Sequence, residues 1–185
     1  MSLSLTGGTF NGSVLKTPAG MNLTRPTSGK VRQALFNMLR GSFEDEDFLD
    51  LYAGSGAVGF EALSRGARRA TLVEHNPAAF RVLEGNAKLL MERGAARAAL
   101  DLVKQDARTY CKVQAENTEG RRFAVVFADP PFGQDFSGLW DAMRPLVAPG
   151  GTGIVQYPTR SRPDFAAQAQ RLVAYGESTL ALLEP

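Results

Sequence analysis

From residue 48 onward the chain alternates short apolar runs with helical patterns, and this alternation constrains the fold more than any other feature. The runs are FLDLY (48–52), ATLVE (70–74), ALDLVKQ (99–105), FAVVFA (123–128) and TGIVQY (152–157). After the second run, Pro77 follows Asn76 at a helix start. Phe80, Leu83, Ala87, Leu90 and Met91 then share one face before Gly94 ends the pattern. Apolar strands separated by helices imply βαβ units, whose parallel sheet is covered on both faces. The tail departs from this pattern. RLVAY (171–175) and STLALL (178–183) flank only Gly176-Glu177, which reads as a hairpin. The expectation is an α/β fold with five roughly parallel strands and an antiparallel pair.

The section ahead of the alternation is different. TGGTFNGSVLKTP (6–18) places Gly and Asn at turn positions and reads as short β structure. Val31, Ala34, Leu35, Met38 and Leu39 then fall at helical spacing, with Thr27 or Ser28 available as a cap. Residues 1–40 are too few to hold a core of their own, so they read as an appendage on a domain spanning 41–185.

Charge is distributed in the same way. Lys16, Arg25, Lys30, Arg32 and Arg40 all precede the first acidic residue, Glu44, in a chain of net charge +2. A basic arm on a near-neutral body is the pattern expected where one face meets phosphates, although a solvated extension gives the same count. Cys111 and His75 are the only residues of their kinds, which leaves no disulfide framework and no Cys/His metal set. The start MSLSLTGGTF lacks the charged and apolar segments of a secretory signal, and no run of about 18 apolar residues occurs. A cytoplasmic setting without membrane contact is expected.

Four acidic residues stand at predicted strand ends. The first precedes a glycine turn in DLYAGSGAVG (50–59), where Gly54, Gly56 and Gly59 let the backbone turn and let a ligand approach main-chain N–H groups. That triplet alone suits a dinucleotide as readily as another adenosine-containing cofactor. Asp50, just before the turn, would oppose a pyrophosphate and suits a cationic ligand better. Glu74 ends the second strand about twenty residues after the glycines, where an acid accepts from ribose hydroxyls. Asp106, in KQDA, can accept from an adenine amino group and can equally cap the following helix. Asp129 begins DPPF (129–132), where two prolines end the fourth strand and hold their neighbours rigid.

Together these stretches resemble the class I S-adenosylmethionine-dependent methyltransferases that modify exocyclic amines. RPTSGKVRQALFNML (25–39), FLDLYAGSGAVGFEALSRGA (48–67) and VVFADPPF (125–132) are similar to the RsmD family, the 16S rRNA guanine-N-2 methyltransferases. The resemblance implies a seven-stranded Rossmann-like sheet with its last strand reversed. It implies an S-adenosyl-L-methionine site at Asp50, Tyr52, Gly54, Ser55, Gly56, Glu74, His75, Asp106 and Ala107. Asp129 and the Pro130 carbonyl become acceptors for the target amine, with Phe132 stacking on the base. Pro131, Arg25, Thr27, Lys30 and Arg32 become substrate contacts, and no metal is required. The implied partner is 16S rRNA or the assembling small ribosomal subunit, met by a monomer. Trp140 and Cys111 read as packing residues. Other readings keep the chemistry but move it to another RNA, DNA adenine or a protein glutamine amide. Readings of a different class are a dinucleotide oxidoreductase and a non-catalytic RNA-binding module.

Overall fold

Residues 47–50, DFLD, are buried at every position although two of the four are acidic. Only a central strand with both faces covered has such a pattern. In the computed structural model, which describes residues 3–18, 29–39, 41–117, 120–131, 133–161 and 163–185, this strand lies inside a seven-stranded sheet, between the strands Arg69–Val73 and Phe123–Ala128. In chain order the sheet strands are β3 (Asp47–Asp50), β4 (Arg69–Val73), β5 (Leu100–Val103), β6 (Phe123–Ala128), β7 (Val147–Pro158), β8 (Arg171–Tyr175) and β9 (Ser178–Leu183). A separate two-stranded piece, β1 (Leu3–Ser4) with β2 (Val14–Leu15), precedes them.

The spatial order is β5-β4-β3-β6-β7-β9-β8. From β3 the chain therefore proceeds outward through β4 and β5, then returns to the other flank of β3 as β6. That reversal opens a crevice at the carboxyl ends of β3 and β6, the place where open α/β sheets bind ligands. Strands β3 to β7 are mutually parallel. Strand β9 pairs antiparallel with both β7 and β8, so β8 shares the direction of β7 and β9 alone is reversed. The tail is thus the expected antiparallel pair, joined to the sheet through β9. Its second strand is inserted inside the sheet, and its first forms the edge.

One boundary differs from the sequence pattern. Strand β7 begins at Val147, five residues before the apolar run, because Pro149-Gly150-Gly151 forms a bulge. The register with β6 shifts there from Phe123↔Val147 to Val125↔Thr152. A Cβ on Gly151 would sit 2.7 Å from the Ala124 carbonyl oxygen, so the close approach of the two backbones requires glycine.

Helices cover both faces. Helices α1 (Gly29–Met38), α2 (Ala57–Ser64) and α3 (Pro77–Glu92) lie on one side, and α4 (Ala107–Glu116) and α5 (Leu139–Met143) on the other. The α3 boundaries follow from local chemistry: Asn76 caps the helix by accepting from the N–H groups of Ala78 and Ala79, with Pro77 at the first helical position. Trp140 and Cys111 are buried in the core under α4 and α5. No described helix is long and apolar enough to cross a membrane.

The N-terminal section shares its cores with the rest. Leu5 and Leu15 join the cluster under α2 and α3, and Val31, Leu35, Phe36 and Leu39 join the one containing Phe48 and Phe127. The buried stripe of α1 is rotated from the apolar spacing: Arg32 and Phe36 are buried, while Ala34 and Met38 are only half-buried. Phe36 packs against Phe43 and Phe48. Arg32 turns inward to Glu61, with its Nε 3.2 Å from Oε2.

That ion pair corrects an expectation. Arg32 is 1% exposed and donates to the Ser4 carbonyl and to Glu61, so it is a structural cation and cannot contact RNA phosphates from the surface. Charge-counting placed it in the basic arm because sequence alone does not show which arginine finds a buried carboxylate. Arg25, Thr27, Ser28 and Arg40 lie outside the described residues.

Candidate active site

Three backbone N–H groups of the glycine turn are committed before any ligand arrives. Glu74 Oε2 accepts from the N–H of Gly54 at 2.9 Å, Asp50 Oδ2 accepts from Gly59 at 3.1 Å, and the Gly56 N–H is bonded to the Ala53 carbonyl at 2.7 Å. A pyrophosphate-binding turn needs such donors free and carboxylates distant. This turn is therefore unsuited to a dinucleotide and suited to a cation. Gly56 adopts φ +84°, and a Cβ there would lie 2.2 Å from the Phe60 ring, so glycine is required. Below it, Asn86 Nδ2 donates to the Ser55 carbonyl at 2.9 Å and to the Lys16 carbonyl at 2.9 Å. One buried side chain thus braces the turn against the N-terminal strand segment.

Asp50 is the most perturbed carboxylate. It is 1% exposed, and its Oδ1 is buried without a hydrogen-bond partner. Burial, followed by the nearby negative charge of Asp129 and then Glu74, outweighs the Gly59 and Tyr52 N–H groups and raises its pKa to about 7. An orphaned acceptor in an acidic cleft calls for a cationic donor.

This shift has a stability consequence. Below about pH 4 Asp50 is protonated in both states. Between 3.8 and about 7 the unfolded chain ionises while the folded one does not, so stability contributed here falls as pH rises. At about 1.4 kcal/mol per pKa unit, the full effect is on the order of 4 kcal/mol. Asp50→Asn keeps an acceptor for Gly59 and cannot ionise. Urea unfolding of the free protein at pH 5 and pH 8, which spans the upper part of that range, should show about 2–3 kcal/mol less pH-dependent loss in the variant than in the parent. Equal slopes would exclude Asp50 as the titrating group.

Glu74 directly follows β4 and is 8% exposed. Its Oε1 accepts from the Asn76 N–H at 2.7 Å and lies 3.5 Å from His75 Nδ1. Each carboxylate oxygen retains acceptor capacity beyond its backbone partner, so Glu74 can still receive ribose hydroxyls. Asp106 caps α4, its Oδ1 accepting from Thr109 N–H at 2.9 Å and Oγ1 at 3.1 Å. The Thr109 N–H bond is the main cause of its lowered pKa. The cap and an acceptor role toward adenine are compatible, because Asp106 is exposed and both bonds use one oxygen. Ala107 is buried at the first position of α4.

Asp129 follows β6, two residues past Phe127, which stands opposite Asp50 in the parallel register. Asp129 and Pro131 are half-buried and Pro130 is buried. Phe132 lies outside the described residues. Tyr52 is half-buried; desolvation raises its hydroxyl pKa to about 12, against the opposing charge of Arg108. Its oxygen and Gln134 Oε1 are both buried without a hydrogen bond of good geometry, although the Gln134 side chain is close enough to favour the phenolate. Cys111 is inert, burial pushing its thiol up to about 12. Among the described residues no group of three or more His, Cys, Asp or Glu side chains is placed to hold a metal.

The fold brings together Asp50, Tyr52, Gly54, Ser55, Gly56, Glu74, His75, Asp106, Ala107, Asp129, Pro130 and Pro131 at one edge of the sheet. Lys30 is exposed in the first turn of α1. Three residues escaped the sequence reading. Asn86 interrupts the apolar stripe of α3, and a polar residue there was a usable signal. Arg160 is exposed on the turn after β7, where Thr159 N–H donates to the Glu177 carbonyl at 2.8 Å; its signal was PTRSR directly after a strand. Arg108 gave none.

Strand order, a single reversed strand and acidic strand ends around a glycine turn together define the class I methyltransferase fold. An RNA methyltransferase from Salinibacter ruber in complex with S-adenosyl-L-homocysteine has the same fold, with a TM-score of 0.64 and 19% identity over 86% of this chain and 92% of that one. The profile of the family described as "Conserved hypothetical protein 95" matches residues 3–184. This chain belongs to that family, the RsmD family of methyltransferases. Ribosomal RNA small subunit methyltransferase D of Escherichia coli (strain K12) is 38% identical over 130 residues, 70% of this chain and 60% of the relative. The chain spans about three fifths of the length of the curated relatives it matches. The hypothetical protein TTHA0928 of Thermus thermophilus superposes with a TM-score of 0.83 at 33% identity, over 99% of both chains.

Proposed function

We propose that this protein transfers a methyl group from S-adenosyl-L-methionine to the exocyclic N-2 amine of a guanine in 16S rRNA of the small ribosomal subunit. The observation that carries this reading is the buried, partnerless Oδ1 of Asp50 beside the glycine turn, which fits the ammonium of the cofactor's methionine moiety. Tyr52, Gly54, Ser55 and Gly56 would line that end, Glu74 and His75 the ribose, and Asp106 and Ala107 the adenine. When bound, the cofactor supplies a methyl group made electrophilic by its sulfonium.

The chain's own residues supply alignment. A base amine is a poor nucleophile because its lone pair is conjugated with the ring. Asp129 and the Pro130 carbonyl accept from its two N–H bonds, which favours a pyramidal nitrogen aimed at the methyl. Two prolines hold those acceptors in place, so little freedom is lost when substrate binds. Once methylated, the nitrogen sheds a proton, for which Asp129 is the adjacent acceptor. Phe132 stacks on the base, which must leave its helix to reach the edge of the sheet. Lys30 and Arg160, together with Arg25 and Thr27, meet the RNA backbone. The binding this produces weakens as salt rises.

Incubation with methyl-labelled S-adenosylmethionine and, separately, naked 16S rRNA, small ribosomal subunits, DNA and protein tests this reading. Label is expected on rRNA, free or assembled, at guanine N-2. Label on DNA adenine or a glutamine amide would move the substrate. No label anywhere would sink the methyltransferase reading.

A further inference from the structure

We propose that Arg108 is a positioning residue that ties the adenine end of the cleft to the segment following the Asp129-Pro130-Pro131 turn. Arg108 is the second residue of α4, directly after Asp106 and Ala107. Its Nη1 donates to the Ser137 carbonyl at 2.9 Å and its Nη2 to the Asp135 carbonyl at 2.8 Å. A guanidinium presents such paired donors in a fixed fork, so two carbonyls held together define where the segment lies. Both contacts are to main chain, so they fix its course whatever its side chains.

Among the described residues the clasped segment has few other supports. It is neither helix nor strand, and Gly133 and Gly138 at its ends have φ of +83° and +64°. Asp135 Oδ1 accepts from Ser137 N–H at 2.9 Å and Oγ at 2.7 Å, which shapes the turn without attaching it to the body. Phe136 anchors it on one side through Tyr157 and Phe165. On the cleft side, the fork of Arg108 is the anchor among the described residues. The same junction holds Tyr52, from the glycine turn, and Gln134, from the segment. The charges of Arg108 and Asp106 both act on the Tyr52 hydroxyl.

Arg108 therefore links two functions that the sequence separates by more than twenty residues. A ligand that orders Asp106 and Ala107 also fixes the start of α4, and the fork passes that order to the residues behind Pro131. The amine acceptors are then held in place when cofactor is bound. The activity arm of this inference rests on the proposed methyl transfer; its structural arm does not.

Hydrogen exchange on the full chain, with and without S-adenosyl-L-homocysteine as the probe, tests the link. Without probe, the peptide covering residues 133–138 should exchange several-fold faster in Arg108→Ala than in the parent. The probe should slow that peptide in the parent and leave it nearly unchanged in Arg108→Ala. Arg108→Lys, which keeps the charge and one donor direction, should fall between, and it serves as the reading if the alanine variant does not fold. In single-turnover transfer to rRNA, Arg108→Ala should be slowed by about tenfold to a hundredfold, the scale of a misplacement near 1 Å. Its affinity for the probe should stay within about threefold of the parent. Equal exchange in parent and variants overturns the proposal, as does a rate loss matched by an equal loss of probe affinity. A parent that protects the segment yet transfers no methyl would instead overturn the function proposed above.

Discussion

Asp129→Ala should lose methyl transfer by about two to three orders of magnitude, the cost of removing one preorganised polar group from a reacting centre. It should still bind S-adenosyl-L-homocysteine within about threefold of the parent, because the residues proposed to hold the cofactor follow β3 and β4 and start α4 rather than lying on the β6 turn. Labelled transfer to rRNA and calorimetric titration measure the two quantities separately. Asp129→Asn keeps one carbonyl acceptor and should retain part of the rate. A side effect identifies the mechanism further. The Asp129 charge contributes to the raised pKa of Asp50, so Asp129→Ala should lower the pH at which Asp50 titrates. Full activity in Asp129→Ala would exclude it as the amine acceptor, whatever the cofactor site does.

Much of this site was legible because carboxyl-edge residues are marked by where strands stop. FAVVFA matches β6 residue for residue, since two prolines cannot continue a ladder. The hairpin strands are likewise as read, because only two residues separate them. Direction was less legible. A hairpin fixes the relation of β8 to β9, but nothing local records that β9 inserts beside β7. The start of β7 was hidden because Pro149-Gly150-Gly151 has turn chemistry and serves as a bulge. Among the candidate residues, the acids lie at strand ends as the sequence reads, whereas the sequence does not sort the cations. Arg32 and Lys30 are two residues apart on α1, yet one is buried and the other exposed. Arg108 acts through carbonyls, which carry no side-chain signature, so its clasp has no sequence signal.

The buried pair of Arg32 and Glu61 supports the second large effect, this time on stability. Glu61 is fully buried and accepts from Thr6 N–H at 2.8 Å and Thr6 Oγ1 at 2.8 Å. It also pairs with Arg32 Nε at 3.2 Å and Arg65 Nε at 2.8 Å. One carboxylate thus joins the N-terminal strand segment, α1 and α2. Glu61→Ala strips the 1%-exposed Arg32 of its counter-charge. Removing one partner of a buried pair costs about 3–5 kcal/mol. In a domain of this size that lowers the melting temperature by roughly 10 °C. The penalty comes from the stranded charge more than from the lost attraction, so replacing both partners should restore stability. Arg32→Met with Glu61→Met should recover most of what Glu61→Ala loses, even though it removes more polar contacts. Thermal and urea unfolding of the single and double variants decide this. If Glu61→Ala costs under about 1 kcal/mol, the range of an exposed pair, Arg32 is not locked in the core in solution and returns as a candidate for the RNA backbone.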